Sequence, residues 1–238
     1  ISAINTYLPE RVVTNDELAT FVDTSDEWIQ SHTGIKERRI AAPDQAASDL
    51  GIAAARGVLE REGVSPDDVD MIIVASSTTD YPNFPSTASI IQDRLGCSNA
   101  GAFDVSAGCT GFVYALEIAR SMVDAQSASI VLAIAAETLT KITNWDDRNT
   151  CVLFGDGAGA AIVRSDAPKG ARILTSWLRS KGSGDTALIR HVGGSRTPFD
   201  ANTHSAADLL TYMDGRAVYL FAVDAVVQTV RSLCERIG

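Results

Sequence analysis

The stretch Ala102-Phe103-Asp104-Val105-Ser106-Ala107-Gly108-Cys109-Thr110-Gly111-Phe112 decides how the fold is read. A short apolar run stops at Val105, small residues make a tight turn, and a cysteine stands where a helix is expected to begin. The helix signal continues through Val113, Leu116, Ile118, Ala119, Met122 and Val123, spaced for one buried face. Strand, turn and helix in that order form the repeating unit of an α/β fold. A thiol at a helix N-terminus lies beside unpaired backbone N–H groups and the positive end of the helix dipole, and both favour the thiolate. Ala107, Gly108 and Gly111 would let a substrate carbonyl come close. The same pattern also fits a buried structural cysteine in an α/β core, and residues 102–112 alone leave both readings open.

Working outward, Val69–Ala75 reads as a strand from the middle of a parallel sheet, and Ser129–Ala136 as another. Between and before them, Ser48 is expected to cap a helix ending near Glu62-Gly63. Pro85 suits the first turn of a helix running to Leu95-Gly96. Residues 1–14 read as a strand, a turn at Pro9 and a second extended piece. Asn15 is expected to cap a short helix over 16–22, and Ser25 one from Asp26 to about Ser31, closed by Gly34. Downstream, Thr150–Phe154, Ala158–Arg164 and Arg172–Leu178 read as strands, residues 180–206 as a long loop, and Asp214 as the cap of a helix over 215–236. This is repeated β-α-β alternation, hence a parallel or mixed sheet covered by helices. A boundary is expected near Asp166–Gly170.

The 238 residues are 45% hydrophobic with a formal net charge of −10. That acidic balance argues against nucleic acid or anionic membrane as partners. No apolar run reads as long enough to span a bilayer, so a soluble protein is expected, and Ile1-Ser2-Ala3-Ile4 does not resemble a signal peptide. Cys97, Cys109, Cys151 and Cys234 are widely spaced, without a C-x-x-C pair. Free thiols in a reducing compartment are favoured over zinc or a dithiol.

Several other features are ambiguous by themselves. Gly155-x-Gly157-x-x-Ala160 has the spacing of a dinucleotide fingerprint, but the following Ala161-Ile162-Val163 reads as a strand rather than the helix that motif requires. Trp28 stands before the basic run His32 to Arg39, and Trp145 before Arg148; tryptophan can stack on a base and arginine can hold phosphate, yet by itself the run reads first as a solvated basic segment, and the pair of Trp145 and Arg148 is equally ambiguous alone. His32, His191 and His204 carry no local signature of a base for Cys109.

Asp23-Thr24-Ser25-Asp26-Glu27-Trp28, Thr33-Gly34-Ile35-Lys36-Glu37-Arg38, Asn83-Phe84-Pro85-Ser86, Phe103-Asp104-Val105 leading to Gly108-Cys109-Thr110-Gly111-Phe112, Asp147-Arg148, Phe154-Gly155-Asp156-Gly157-Ala158-Gly159-Ala160, Gly193–Pro198 and Met213-Asp214-Gly215 follow one another along the whole chain. Together they resemble the β-ketoacyl-acyl-carrier-protein synthase III family, thiolase-like enzymes that start type II fatty acid synthesis. The resemblance implies an α/β, thiolase-like layered α-β-α-β-α fold whose second half is truncated here. Residues 1–168 would be the half that carries the nucleophile and 169–238 the opening of the other.

It further implies that Cys109 attacks an acyl-CoA and carries the acyl group to a malonyl-acyl carrier protein. Trp28 and Arg148 would sandwich the CoA adenine, with Thr24, His32, Thr33, Gly215 and Arg216 around the CoA. Phe154, Leu188, Met213 and Tyr219 would line the acyl pocket or tunnel, and Phe84 would reach across a homodimer interface. His32 stands where the family commonly has an arginine, and Leu220 where some members have a carrier-docking lysine. The family's catalytic His and Asn would lie beyond position 238. Acyl-CoA, the carrier protein and a second copy are the implied partners, with no metal or other cofactor, and the cytoplasm is the implied location. Two other readings remain: a Cys109-dependent acyltransferase of specialised metabolism, and a non-catalytic acyl-CoA-binding or dimerisation module.

Overall fold

The computed structural model describes residues 1–167 and 170–238. In chain order the elements are β1 (Ala3–Tyr7), β2 (Arg11–Thr14), α1 (Asn15–Leu18), α2 (Asp26–Thr33), β3 (Glu37–Ile40), α3 (Ala47–Glu62), β4 (Met71–Ala75) and α4 (Thr87–Leu95). There follow β5 (Gly101–Val105), α5 (Gly111–Asp124), β6 (Ile130–Thr138), α6 (Arg148–Cys151), β7 (Asp156–Arg164), β8 (Leu188–Ile189), β9 (Tyr212–Met213) and α7 (Gly215–Ile237). By compactness the chain divides into two units. The first holds Ile1–Val12, Arg39–Leu139 and Gly155–Ile173; the second holds Val13–Arg38, Thr140–Phe154 and Leu174–Gly238. The boundary expected between 168 and 169 falls on residues outside those described.

The first unit is built on a five-stranded mixed sheet in the order β1-β7-β6-β4-β5. β4 runs parallel to both β5 and β6, while β7 is antiparallel to β6 and to β1. Successive side chains of a strand point to opposite faces, and here each face meets its own helices. Ile72, Val74, Leu132, Ile134, Ala160 and Ile162 pack with Ala54, Val58 and Leu59 of α3 and Ala88 and Ile91 of α4. Ile73, Ala75, Val131, Ala133 and Val163 pack with Ala115, Ala119 and Val123 of α5. Fully burying one such Ile, Leu or Val contributes about 1.5–3 kcal/mol, so both layers are held chiefly by apolar burial. Val113 is exposed instead of joining the buried face of α5.

In the second unit α2 runs as the sequence suggests. Ser25 Oγ accepts from Trp28 N at its start, and Gly34 closes it in the left-handed conformation with φ +73°. β8 pairs with β9, and Asp214 caps α7 by accepting from Ala217 N at 3.0 Å.

Several expectations need correction. Thr14, not Asn15, caps α1, because Asn15 is buried and its amide is used elsewhere. Ala46 precedes α3, whose first turn is tied by Asp49 Oδ2 accepting from Ala46 N at 2.7 Å; Ser48 instead bonds through N and Oγ to Asp80. Ser86 caps α4, so Pro85 lies ahead of it. The run 150–154 is not a strand: it continues from the single turn of α6, started by Asp147 accepting from Asn149 N. The run 172–178 has no regular structure and no ladder partner among the described residues. Finally, α7 spans 23 residues and is long and apolar enough, by length and composition, to cross a membrane. The expectation that no such run exists is therefore wrong. None of its residues is buried.

Candidate active site

Cys109 belongs to the first unit. β5 ends at Val105, Gly108–Thr110 form one 3-10 turn, and α5 starts at Gly111. Gly108 has φ +55°, a conformation that favours glycine, and Thr110 Oγ1 donates to Ala107 O at 2.9 Å. A Cβ added to Gly111 would meet Ala75 Cβ at 3.0 Å, so glycine lets α5 lie directly on the end of β4. The thiol of Cys109 is free and exposed. It therefore stands in the turn ahead of α5 rather than in the helix's own first turn. Asp104 fixes the neighbouring helix: its two carboxylate oxygens accept from Thr87 N and Ala88 N, each at 2.8 Å, at the start of α4.

Three parallel strands end on this side of the sheet, and the loops beyond such carboxyl ends are where α/β sheets bind ligands. After β4, the Ser76–Thr79 segment is pinned by Glu137 at the end of β6. Glu137 Oε1 accepts from Ser77 N at 2.7 Å, and Oε2 accepts from Thr78 Oγ1 at 2.5 Å; Thr78 Oγ1 in turn accepts from Thr138 N at 2.8 Å. Burial pushes the Glu137 carboxyl up, with the donors of Thr78 and Ser77 opposing and nearby Asp156 adding to the rise. Phe84 projects with 84% of its surface exposed.

The CoA candidates belong to the second unit. The Arg148 guanidinium lies 4.7 Å from the Trp28 ring centroid and donates through Nη1 to Asp23 O at 3.0 Å. The His32 ring stacks on Trp28 as well, with centroids 4.3 Å apart and 21° between planes, and His32 Nδ1 lies 2.8 Å from Trp28 O. Thr33 Oγ1 donates to Ile29 O and accepts from Ile35 N, which fixes the end of α2. Thr24 Oγ1 is buried without a hydrogen-bond partner among the described residues. Leu188 pairs with Met213 across β8 and β9. A Cβ on Gly215 would lie 3.7 Å from Asn149 Oδ1 and 3.9 Å from Met213 Cε. Met213 is buried, Phe154 is half-buried, and Leu188, Arg216 and Tyr219 are exposed. This unit thus brings Trp28, His32 and Arg148 into one stack, and Leu188, Met213 and Gly215 together beside Asn149.

Two residues were misread from sequence. Arg38 falls in the run taken as a solvated basic segment, yet it is buried, and so is Asn15. Their partners lie far apart in the chain, so no local pattern signals them. Among the described residues, no group of three or more His, Cys, Asp or Glu side chains could hold a metal. All four cysteines are free, and burial pushes the Cys97 thiol up to about 11.

A family model described as 3-oxoacyl-[acyl-carrier-protein (ACP)] synthase III matches residues 103–182. The chain is 50% identical over its full 238 residues to a β-ketoacyl-[acyl-carrier-protein] synthase III of Caldanaerobacter subterraneus, covering 71% of that relative. A crystal structure of a 3-oxoacyl-(acyl-carrier-protein) synthase III superposes on the whole chain with a TM-score of 0.92 at 37% identity, with 74% of that chain covered. The Pseudomonas aeruginosa structure of the same description gives 0.86 at 38% identity, with 70% covered. The chain thus spans about seven tenths of the length of these relatives.

Proposed function

The chain belongs to the β-ketoacyl-[acyl-carrier-protein] synthase III family, the thiolase-like acyltransferases of the initiating condensation in fatty acid synthesis, and on that premise we propose that Cys109 is the residue that carries the acyl group. The observation that supports this most is a free, exposed thiol in a glycine-bounded turn at the carboxyl ends of parallel strands.

In the first step Cys109 Sγ, as thiolate, adds to the thioester carbonyl of an acyl-CoA. The negative charge moves to the carbonyl oxygen, where the backbone N–H of Cys109 is a donor of the kind that stabilises such an oxyanion. Collapse expels CoA as thiolate and leaves the acyl group on Sγ. One thioester replaces another, so the exchange is nearly balanced in energy. In the second step malonyl-acyl carrier protein loses CO2. Its carbanion attacks the acyl-Cys109 carbonyl, giving β-ketoacyl-acyl carrier protein and regenerating the thiolate.

Trp28 and Arg148 would hold the CoA adenine, stacking supplying attraction without demanding a particular base. Thr24, His32, Thr33, Gly215 and Arg216 complete the CoA side in this reading, and Phe154, Leu188, Met213 and Tyr219 the acyl path. A second copy of the chain would seat against β5, which ends its sheet with one side unpaired, and receive the exposed Phe84. The protein would work in the cytoplasm. α7 is read as a helix of the fold, since Asp224 and Arg231 fall within its apolar stretch.

Incubation of the intact protein with acetyl-CoA, followed by mass measurement and peptide mapping, tests the central claim. An acetyl adduct on the peptide containing Cys109, absent from Cys109→Ala, is the expected result. A folded intact protein that gains no acyl mass from short acyl-CoAs overturns it.

A further inference from the structure

Both ends of α2 and the end of α6 converge on one buried pair, Asn15 and Arg38, which are 1% and 5% exposed. Asn15 Nδ2 donates to Asp26 Oδ1, on the first residue of α2, and to Ile35 O, just past its closing glycine, both at 2.8 Å. Asn15 Oδ1 accepts from Arg38 Nη2 at 2.9 Å. Arg38 Nη2 also reaches Val152 O at 3.1 Å, immediately after α6, and Nη1 reaches Val13 O at 3.3 Å. The Asn15 amide holds the Asp26 carboxyl below its usual range, with Gln30 adding to the effect. A planar guanidinium can bridge acceptors on separate elements in this way; a lysine ammonium has no such fork.

These ties meet where the stacked pair is built. Trp28 lies in the first turn of α2, and Arg148 is the first residue of α6. α6 is a single turn, which has little stability of its own. Its position depends on what grips its ends: Arg38 at Val152, and Arg148's own bond to Asp23 O at the other. Among the described residues Arg38 Nε has no hydrogen-bond partner although it is buried, and burial pushes the guanidinium down from its ordinary value. A tie made only for stability is often matched by apolar packing of the same volume. A costly buried cation at this junction therefore points to geometry as its purpose.

We infer that Arg38 and Asn15 are positioning residues for acyl-CoA recognition: they fix the ends of α2 and α6, the elements that carry Trp28 and Arg148, and so set the preference for CoA thioesters over thioesters that lack the adenine nucleotide. Neither residue touches the ligand. The inference rests on Trp28 and Arg148 being the adenine clamp.

The test measures acetyl transfer to Cys109 in the intact protein, with acetyl-CoA and acetyl-pantetheine side by side. For Arg38→Met and Asn15→Asp, the acetyl-CoA concentration at half-maximal rate should rise about tenfold, as small misplacements of binding groups do. The maximal rate and the response to acetyl-pantetheine should stay unchanged. Arg38→Lys should behave like Arg38→Met, because charge without the fork does not bridge. Asn15→Asp keeps an acceptor facing Arg38, so it carries the test should Arg38→Met fail to fold. Equal losses with both thioesters, or no change with either, overturn the inference while leaving the clamp intact. An unchanged preference in Trp28→Ala overturns the clamp reading itself, and the inference with it.

Discussion

The turn that holds Cys109 and the stack that holds Trp28 are made in opposite ways. The first is set by what is absent: Gly108 supplies a left-handed backbone, and Gly111 removes the atom that would push α5 off Ala75. Around it, apolar layers on both faces of the sheet provide the rigidity. The second is set by polar groups with almost no freedom left. Both amide protons of Asn15 and its amide oxygen are engaged in holding α2 or Arg38. Apolar packing tolerates small volume changes, because neighbours shift. A buried polar hub does not, because each lost partner leaves a buried group unpaired. The two regions should therefore fail differently when mutated.

The largest effect is expected at the hub. Asn15→Leu removes the acceptor of Arg38 and the donor to Ile35 O at once, and should cost about 3 kcal/mol in urea unfolding. A cost below that of an ordinary core substitution would show the hub to be dispensable. Next is the turn. Gly111→Val forces side-chain atoms against Ala75 and should cost about 2 kcal/mol. It should also slow acetyl transfer to Cys109, because the turn and the helix start are displaced together. Unchanged transfer in a destabilised Gly111→Val protein would separate the thiol's placement from the packing of α5.

What the sequence shows and what it hides follows the same division. β4 and β6 are readable because their apolar runs are nearly continuous, and the Cys109 turn because its glycines stand in one local pattern. Ala158–Arg164 reads as a strand rather than the helix a dinucleotide fingerprint needs, and it lies within β7, which begins earlier, at Asp156, so that Gly157 is part of the strand. Thr150–Phe154 was misread because five mostly apolar residues fit a strand or a buried turn equally; Asp147, which starts α6, was the overlooked signal. Arg172–Leu178 has strand composition but pairs with no strand among the described residues. Asn15 and Arg38 were out of reach: the bonds of Arg38 span 23 residues to Asn15 and 114 to Val152. No window along the chain contains both ends of such a bond.

A smaller effect is expected where the stack is held locally. Ser25→Ala removes the cap of α2 and should cost about 1 kcal/mol. Because Asn15 grips α2 independently at Asp26 and Ile35 O, the preference for acetyl-CoA over acetyl-pantetheine should survive. Loss of that preference would move the control of Trp28 from the hub to the helix cap.

The smallest effect concerns Glu137, a half-buried carboxyl in the unit otherwise dominated by apolar packing. Burial raises its pKa above the ordinary glutamate range despite the donors of Ser77 and Thr78. A carboxyl shifted upward binds its proton more tightly in the folded protein than in the unfolded chain. Its burial cost is absent below the ordinary glutamate range, grows as pH rises through it, and is complete above the folded-state pKa. Glu137→Gln has no proton to lose, so wild type should lose stability relative to the variant as pH rises across that window, with a constant difference on either side. Urea midpoints of the two proteins over a pH series read this directly. A difference that does not change with pH would mean that Ser77 and Thr78 compensate the burial in full, and that even this half-buried carboxylate is held as neutrally as the Asn15 amide.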